Sequence, residues 1–100
     1  MTERTNWHGL SLAFVRQVTN SPAHFPSCKQ AIDNTEVIVT DREDPPIGAY
    51  VWFDNDPYGD VGLSLGDGRM LAISTYGHPV IAKVTSWHHK PHGWSRTIGD

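Results

Sequence analysis

Gly59-Asp60-Val61-Gly62-Leu63-Ser64-Leu65-Gly66-Asp67-Gly68-Arg69 is the stretch whose reading decides the fold. It reads as a strand, a tight Gly-Asp-Gly turn and a second strand. The hairpin runs from Val61 to Leu65 and from Arg69 to Ser74. No helix follows the glycines, so the turn is not a phosphate-binding loop.

Working outward, Ala49-Tyr50-Val51-Trp52-Phe53 predicts a strand before the hairpin, joined to it by the loop Asp54–Gly59. Val80 to Thr85 predicts a strand after it, followed by Trp87 and a polar, glycine-containing tail from His88 to Asp100. Upstream, Val37-Ile38-Val39 is β-branched and extended or a short strand, and Asp41–Pro46 is a charged, solvated loop. Nearer the N-terminus, Leu10, Phe14 and Val18 recur at fours with Val15 beside them. This apolar stripe predicts a helix from about Gly9 to Val18 that exits through Thr19-Asn20-Ser21 before Pro22. Pro26-Ser27 opens a second, short helix with Ser27 as N-cap and Gln30 completing a capping box. Ala31 and Ile32 face inward, and Asn34 ends it. Two helices followed by an antiparallel meander is an α+β pattern, with the N-terminal helices packed on a small sheet.

A chain of 100 residues fits one domain, residues 1–100, with one modest core. The hydrophobic fraction of 38% and four tryptophans place it among globular rather than disordered chains. A formal net charge of -3 gives no basic face for duplex nucleic acid, although Lys83, Lys90 and Arg96 could form a small local patch. No run reaches the length of a membrane span, and the first residues lack the apolar centre of a signal peptide. The expectation is a protein made in the cytosol, free to leave by lysis or within a particle.

The single cysteine, Cys28, excludes an internal disulfide and an all-thiolate metal site. A lone cysteine in a small domain reads first as a buried apolar filler. His88 and His92 have the i, i+4 spacing of zinc ligands on a helix, but Pro91 between them breaks any helix, so no metal is expected. His24 and His78 fall in loops. Trp52, in an apolar strand, reads as core. Trp94, in the polar tail, reads as a groove or interface contact.

The order of these segments carries a resemblance. A helix start Gly9-Leu10-Ser11-Leu12-Ala13-Phe14-Val15-Arg16 comes first, then Pro45-Pro46-Ile47-Gly48 leading into Val51-Trp52-Phe53. The opening hairpin, Ser74-Thr75 and Gly93-Trp94-Ser95 follow. Together they are similar to the papain-like cysteine hydrolases of the CHAP and NlpC/P60 type, closest to small peptidase domains of actinobacterial phage endolysins and tail lysins. The resemblance implies a papain-like fold and cleavage of a peptide or amide bond in peptidoglycan. It also implies a cysteine at the start of the first helix, a histidine in a Gly-His-Val segment and a polar residue that orients the imidazole.

This chain has Ser11 at the cysteine position, Asp60 at the histidine position, and Tyr76 at or near the orienting position. A serine must lose its proton as it attacks, and an aspartate of ordinary pKa is a poor base for that step. The expectation is therefore a catalytically inactive, lysin-like protein acting as a structural or binding module, for example a head or tail accessory of a virion. Its expected partners are virion proteins or cell-wall peptidoglycan, with no cofactor, nucleic acid or membrane. His8, Trp94 and Arg69 are the binding candidates. The alternative is an active endolysin-type peptidase or amidase with a rearranged Ser11/Asp60 site.

Overall fold

The computed structural model describes residues 11–21, 25, 27–54, 59–74, 77–87 and 89–99. Helix α1 spans Ser11–Thr19 and helix α2 Cys28–Asp33. Strands follow at β1 (Tyr50–Phe53), β2 (Asp60–Gly66), β3 (Arg69–Ile73), β4 (Pro79–Lys83) and β5 (Gly93–Ser95). The described strands form one antiparallel sheet in the order β4-β3-β2-β1-β5. The architecture is α+β, as the segment order predicts.

Local chemistry accounts for the boundaries. Helix α1 ends in a Schellman arrangement. Asn20 takes a left-handed φ of 57°, its N–H donates to Gln17 O (3.4 Å), and Ser21 N–H donates to Arg16 O (3.0 Å). Ser27 caps α2, its Oγ accepting from Gln30 N–H at 3.2 Å, and Asn34 closes the helix. In the hairpin, Asp67 (φ 54°) and Gly68 (φ 70°) are both left-handed, as a type I′ turn requires. The register shifts between Ser64 and Gly66 just before the turn. Asp44 steadies that turn, its Oδ1 accepting from Gly68 N–H at 3.0 Å, so one carboxylate of the charged loop also has an internal partner.

Each face of the sheet has its own core. Tyr50, Trp52, Val61, Leu63 and Ile73 pack with Leu12, Phe14, Val15, Cys28, Ala31 and Ile32 of the two helices. On the opposite face, Val51, Phe53, Met70 and Ala72 pack with Val84 and half-buried Trp87. Strand alternation divides these sets, since neighbours along β1 face opposite sides.

Two segments differ from the sequence expectation. The tail, read as merely polar, contributes β5. Gly93-Trp94-Ser95 pairs with Trp52-Val51-Tyr50 and is wholly buried. As its expected extended backbone allows, Val37–Val39 makes a bridge at Ile38, whose N–H donates to Trp94 O (2.7 Å) and whose carbonyl accepts from Trp94 N–H (2.9 Å). Gly93 permits that approach, because a Cβ there would meet the Val37 side chain and lie 2.6 Å from Ile38 O. The strand expected over Val80–Thr85 ends at Lys83, and Val84–Ser86 is a 3-10 turn.

Candidate functional site

Ser11, the first described residue of α1, lies beside the start of α2 on the same side of the sheet. Cys28 opens α2, and both residues are buried. Seventeen residues apart in sequence, Ser11 Oγ and Cys28 Sγ lie 3.5 Å apart. No local pattern in the sequence brings Cys28 to Ser11. The reason is tertiary: α1 and α2 share one core over Val61 and Leu63.

The chain enters β2 against the same corner. Gly59 (φ 75°) lies so close that a Cβ would stand 3.1 Å from Cys28 Cβ, Lys29 N and Phe53 O. An ion pair between Lys29 Nζ and Asp54 Oδ1 (3.2 Å) spans the same corner, but its exposure makes it a minor contributor. Asp60 follows Gly59, so Ser11 and the backbone of Asp60 reach one corner of the fold.

They do not reach one site. Asp60 pairs with Phe53 in the β1–β2 register, while Val61 pairs with Trp52. Alternation therefore gives Asp60 the Phe53 side of the sheet, opposite the helices. Its carboxylate is occupied there. Oδ1 accepts from Val61 N–H at 2.8 Å, and Oδ2 accepts from the indole N–H of Trp87 at 3.2 Å. Trp87 in turn packs on Phe53, ring centroids 6.2 Å apart. Asp60 thus anchors Trp87 over the second core.

Burial governs the chemistry of Cys28. It pushes the thiol up from an ordinary 9.0 to about 12. Hydrogen bonds from Ser11 and from the Leu12 backbone pull in the opposite direction, and the charge of Asp60 adds to the rise. Desolvation outweighs both hydrogen bonds. At pH 7 the thiolate is about one part in 10⁵. A sulfur aimed into a core, four per cent exposed, is a packing group with a weak polar contact.

The remaining candidates are dispersed. Arg69 is exposed at the far end of β2–β3, opposite Lys83, with six strand residues (roughly 20 Å) between it and the level of Asp60. Trp94 is built into β5, eight per cent exposed, its indole N–H donating to Thr40 O at 2.7 Å. The Arg96 guanidinium lies over its ring, 5.6 Å from the centroid. Trp52 is fully buried, as expected of a core residue. His78, His89 and His92 are exposed, and among the described residues no three metal-binding side chains cluster. Among the same residues no helix is long and apolar enough to cross a membrane. His8, His24, Tyr76 and His88 lie outside the described residues.

Comparison of the chain with protein-family models, curated proteins and solved structures finds no match.

Proposed function

We propose that this chain is a papain-like domain of the CHAP and NlpC/P60 type that has lost its hydrolytic chemistry. It serves as a binding or structural module, with cell-wall peptidoglycan or the proteins of a phage particle as its partner. The order of elements supports the layout: a helix that includes Ser11, packed on an antiparallel sheet whose second strand starts at Asp60.

One observation carries the loss of activity. Both oxygens of Asp60 are held by N–H donors on the side of the sheet away from Ser11 and Cys28. A general base must reach the proton it removes within hydrogen-bond distance. Asp60 instead stabilises Trp87, and the Ser11 hydroxyl is hydrogen-bonded with a thiol that burial keeps neutral. The substitutions at the two positions form a consistent set, because a corner relieved of catalysis can be packed for stability.

Two measurements test the module role. Mass spectrometry of purified virions should detect the protein at structural stoichiometry, or the purified protein should sediment with insoluble peptidoglycan. Absence from both overturns the proposal.

A further inference from the structure

Among the described residues the sheet has one open edge. At β5 the bridge to Ile38 closes one side, whereas no described residue pairs with the outer side of β4. Hydrogen bonds at both ends of β4 fix which groups face outward. Ser74 N–H donates to His78 O (2.8 Å), and Val84 N–H donates to Gly68 O (2.8 Å). The even-numbered residues of β4 therefore turn their backbone groups to β3, and Pro79, Ile81 and Lys83 turn theirs away. The edge offers the N–H donors of Ile81 and Lys83 and the carbonyls of Pro79, Ile81 and Lys83, since proline has no donor.

The side chains on this edge are of two kinds. Tyr50, Leu63, Leu71 and Ile81 form one row across the helix face of the sheet. Helix α1 packs on β2 and β3, and Ile81, one strand further out, is left 64 per cent exposed. In the next row Arg69 stands directly opposite Lys83, both exposed, in a pair whose own backbones exchange no hydrogen bond. Side chains come closest in such a pair, and like charges there repel. Among the described residues neither cation has a carboxylate partner. Lysine and proline on an edge discourage pairing with a second copy. The same two cations favour a partner strand that brings a carboxylate.

We propose that β4 receives an extended acidic segment of another protein as an added antiparallel strand. The first residue of the segment, a glutamate or aspartate, lies opposite Lys83 and answers both cations. The third is apolar, lies opposite Ile81 and exchanges both backbone hydrogen bonds with it. The fifth donates its N–H to Pro79 O. The inference is independent of the reading of the Ser11 corner, since it needs neither a family nor a lost activity.

The test is an ¹⁵N-correlated NMR titration of the full chain with blocked pentapeptides to about 10 mM, a range that captures weak exposed ion pairs. The parent probe is N-acetyl-glutamyl-threonyl-valyl-threonyl-valinamide. One analogue has glutamine in place of the glutamate. Two others carry an N-methyl group, either on the third residue, whose N–H points at β4, or on the fourth, whose N–H points away. The parent should shift the amides of Ile81 and Lys83 and slow their exchange with solvent. The glutamine analogue should bind about threefold more weakly at low salt, and Arg69→Gln with Lys83→Gln should bind the two equally. Methylation at the third residue should abolish binding, and at the fourth should spare it. Four results each overturn the proposal: equal binding of parent and glutamine analogue by the native chain, equal effects of the two methyl groups, no shift at β4, or β4 shifts that follow protein concentration without peptide and so mark a second copy as the occupant.

Discussion

Modification of Cys28 by a small disulfide reagent tests the chemistry of the Ser11 corner quantitatively. At pH 8 an unfolded chain with a thiol pKa of 9.0 is about one-tenth thiolate, whereas the folded thiol at about 12 is thiolate in one part in 10⁴. The scarcity alone slows attack by about 10³. A more basic thiolate is a better nucleophile, and a Brønsted slope near 0.45 over three pKa steps returns a factor of about 20. Roughly 40-fold protection remains, and the burial of the sulfur adds steric exclusion to it. The assay is stopped-flow reaction with Ellman's reagent at pH 8, native against denatured in guanidinium. The native rate should be at least about 40-fold slower. A native rate within fivefold of the denatured rate, or reaction at pH 6 faster than that of a free thiol, would refute the reasoning, because it would mark an activated nucleophile.

Three further predictions concern the fold. Because the folded state holds the Cys28 proton to about 12 and the unfolded state releases it near 9.0, the unfolded state loses protons first and stability falls as pH rises between those values. By pH 10.5 urea unfolding should show the native chain losing about 2 kcal/mol more than Cys28→Ala relative to pH 8, and parallel profiles would count against the raised pKa. Ser95→Ala should cost about 1–3 kcal/mol, since Ser95 Oγ accepts the buried Trp52 indole N–H at 2.7 Å and donates to Thr97 O at 2.6 Å; a thermal shift within error of native would contradict that relay. Gly93→Ala should destabilise by about 1–3 kcal/mol by forcing Ile38 away from β5, and an unchanged denaturation midpoint would show the bridge to be dispensable.

How legible each feature is in the sequence depends on how local its cause is. The hairpin is plain because Asp67 and Gly68 are residues that accept the left-handed backbone its turn needs. Helix α2 is announced by Ser27, whose cap acts three residues away. Strand β5 is hidden because three residues are too few to show alternation, and its partners β1 and Ile38 lie more than forty residues away. Charge in the Asp41–Asp44 loop reads only as solubility until Gly68 is brought to Asp44.

The candidate site divides the same way. That Ser11 and Asp60 differ from the cysteine and histidine the resemblance implies is visible in the sequence, but their geometry is not. The approach of Cys28 to Ser11 arises from packing of two helices over β2, and no local pattern encodes it. The side of the sheet taken by Asp60 follows from its register with Phe53, which becomes known only when β1 and β2 are paired. Trp87 reads as an aromatic after a strand, and its role as the partner of Asp60 needs the 3-10 turn that carries it back over Phe53.

The central claim is that the Ser11 corner does no hydrolysis, and turnover of purified peptidoglycan tests it most directly. The native chain and Ser11→Ala should both release fragments at the rate of buffer alone. Release by the native chain that is abolished in folded Ser11→Ala would contradict the account.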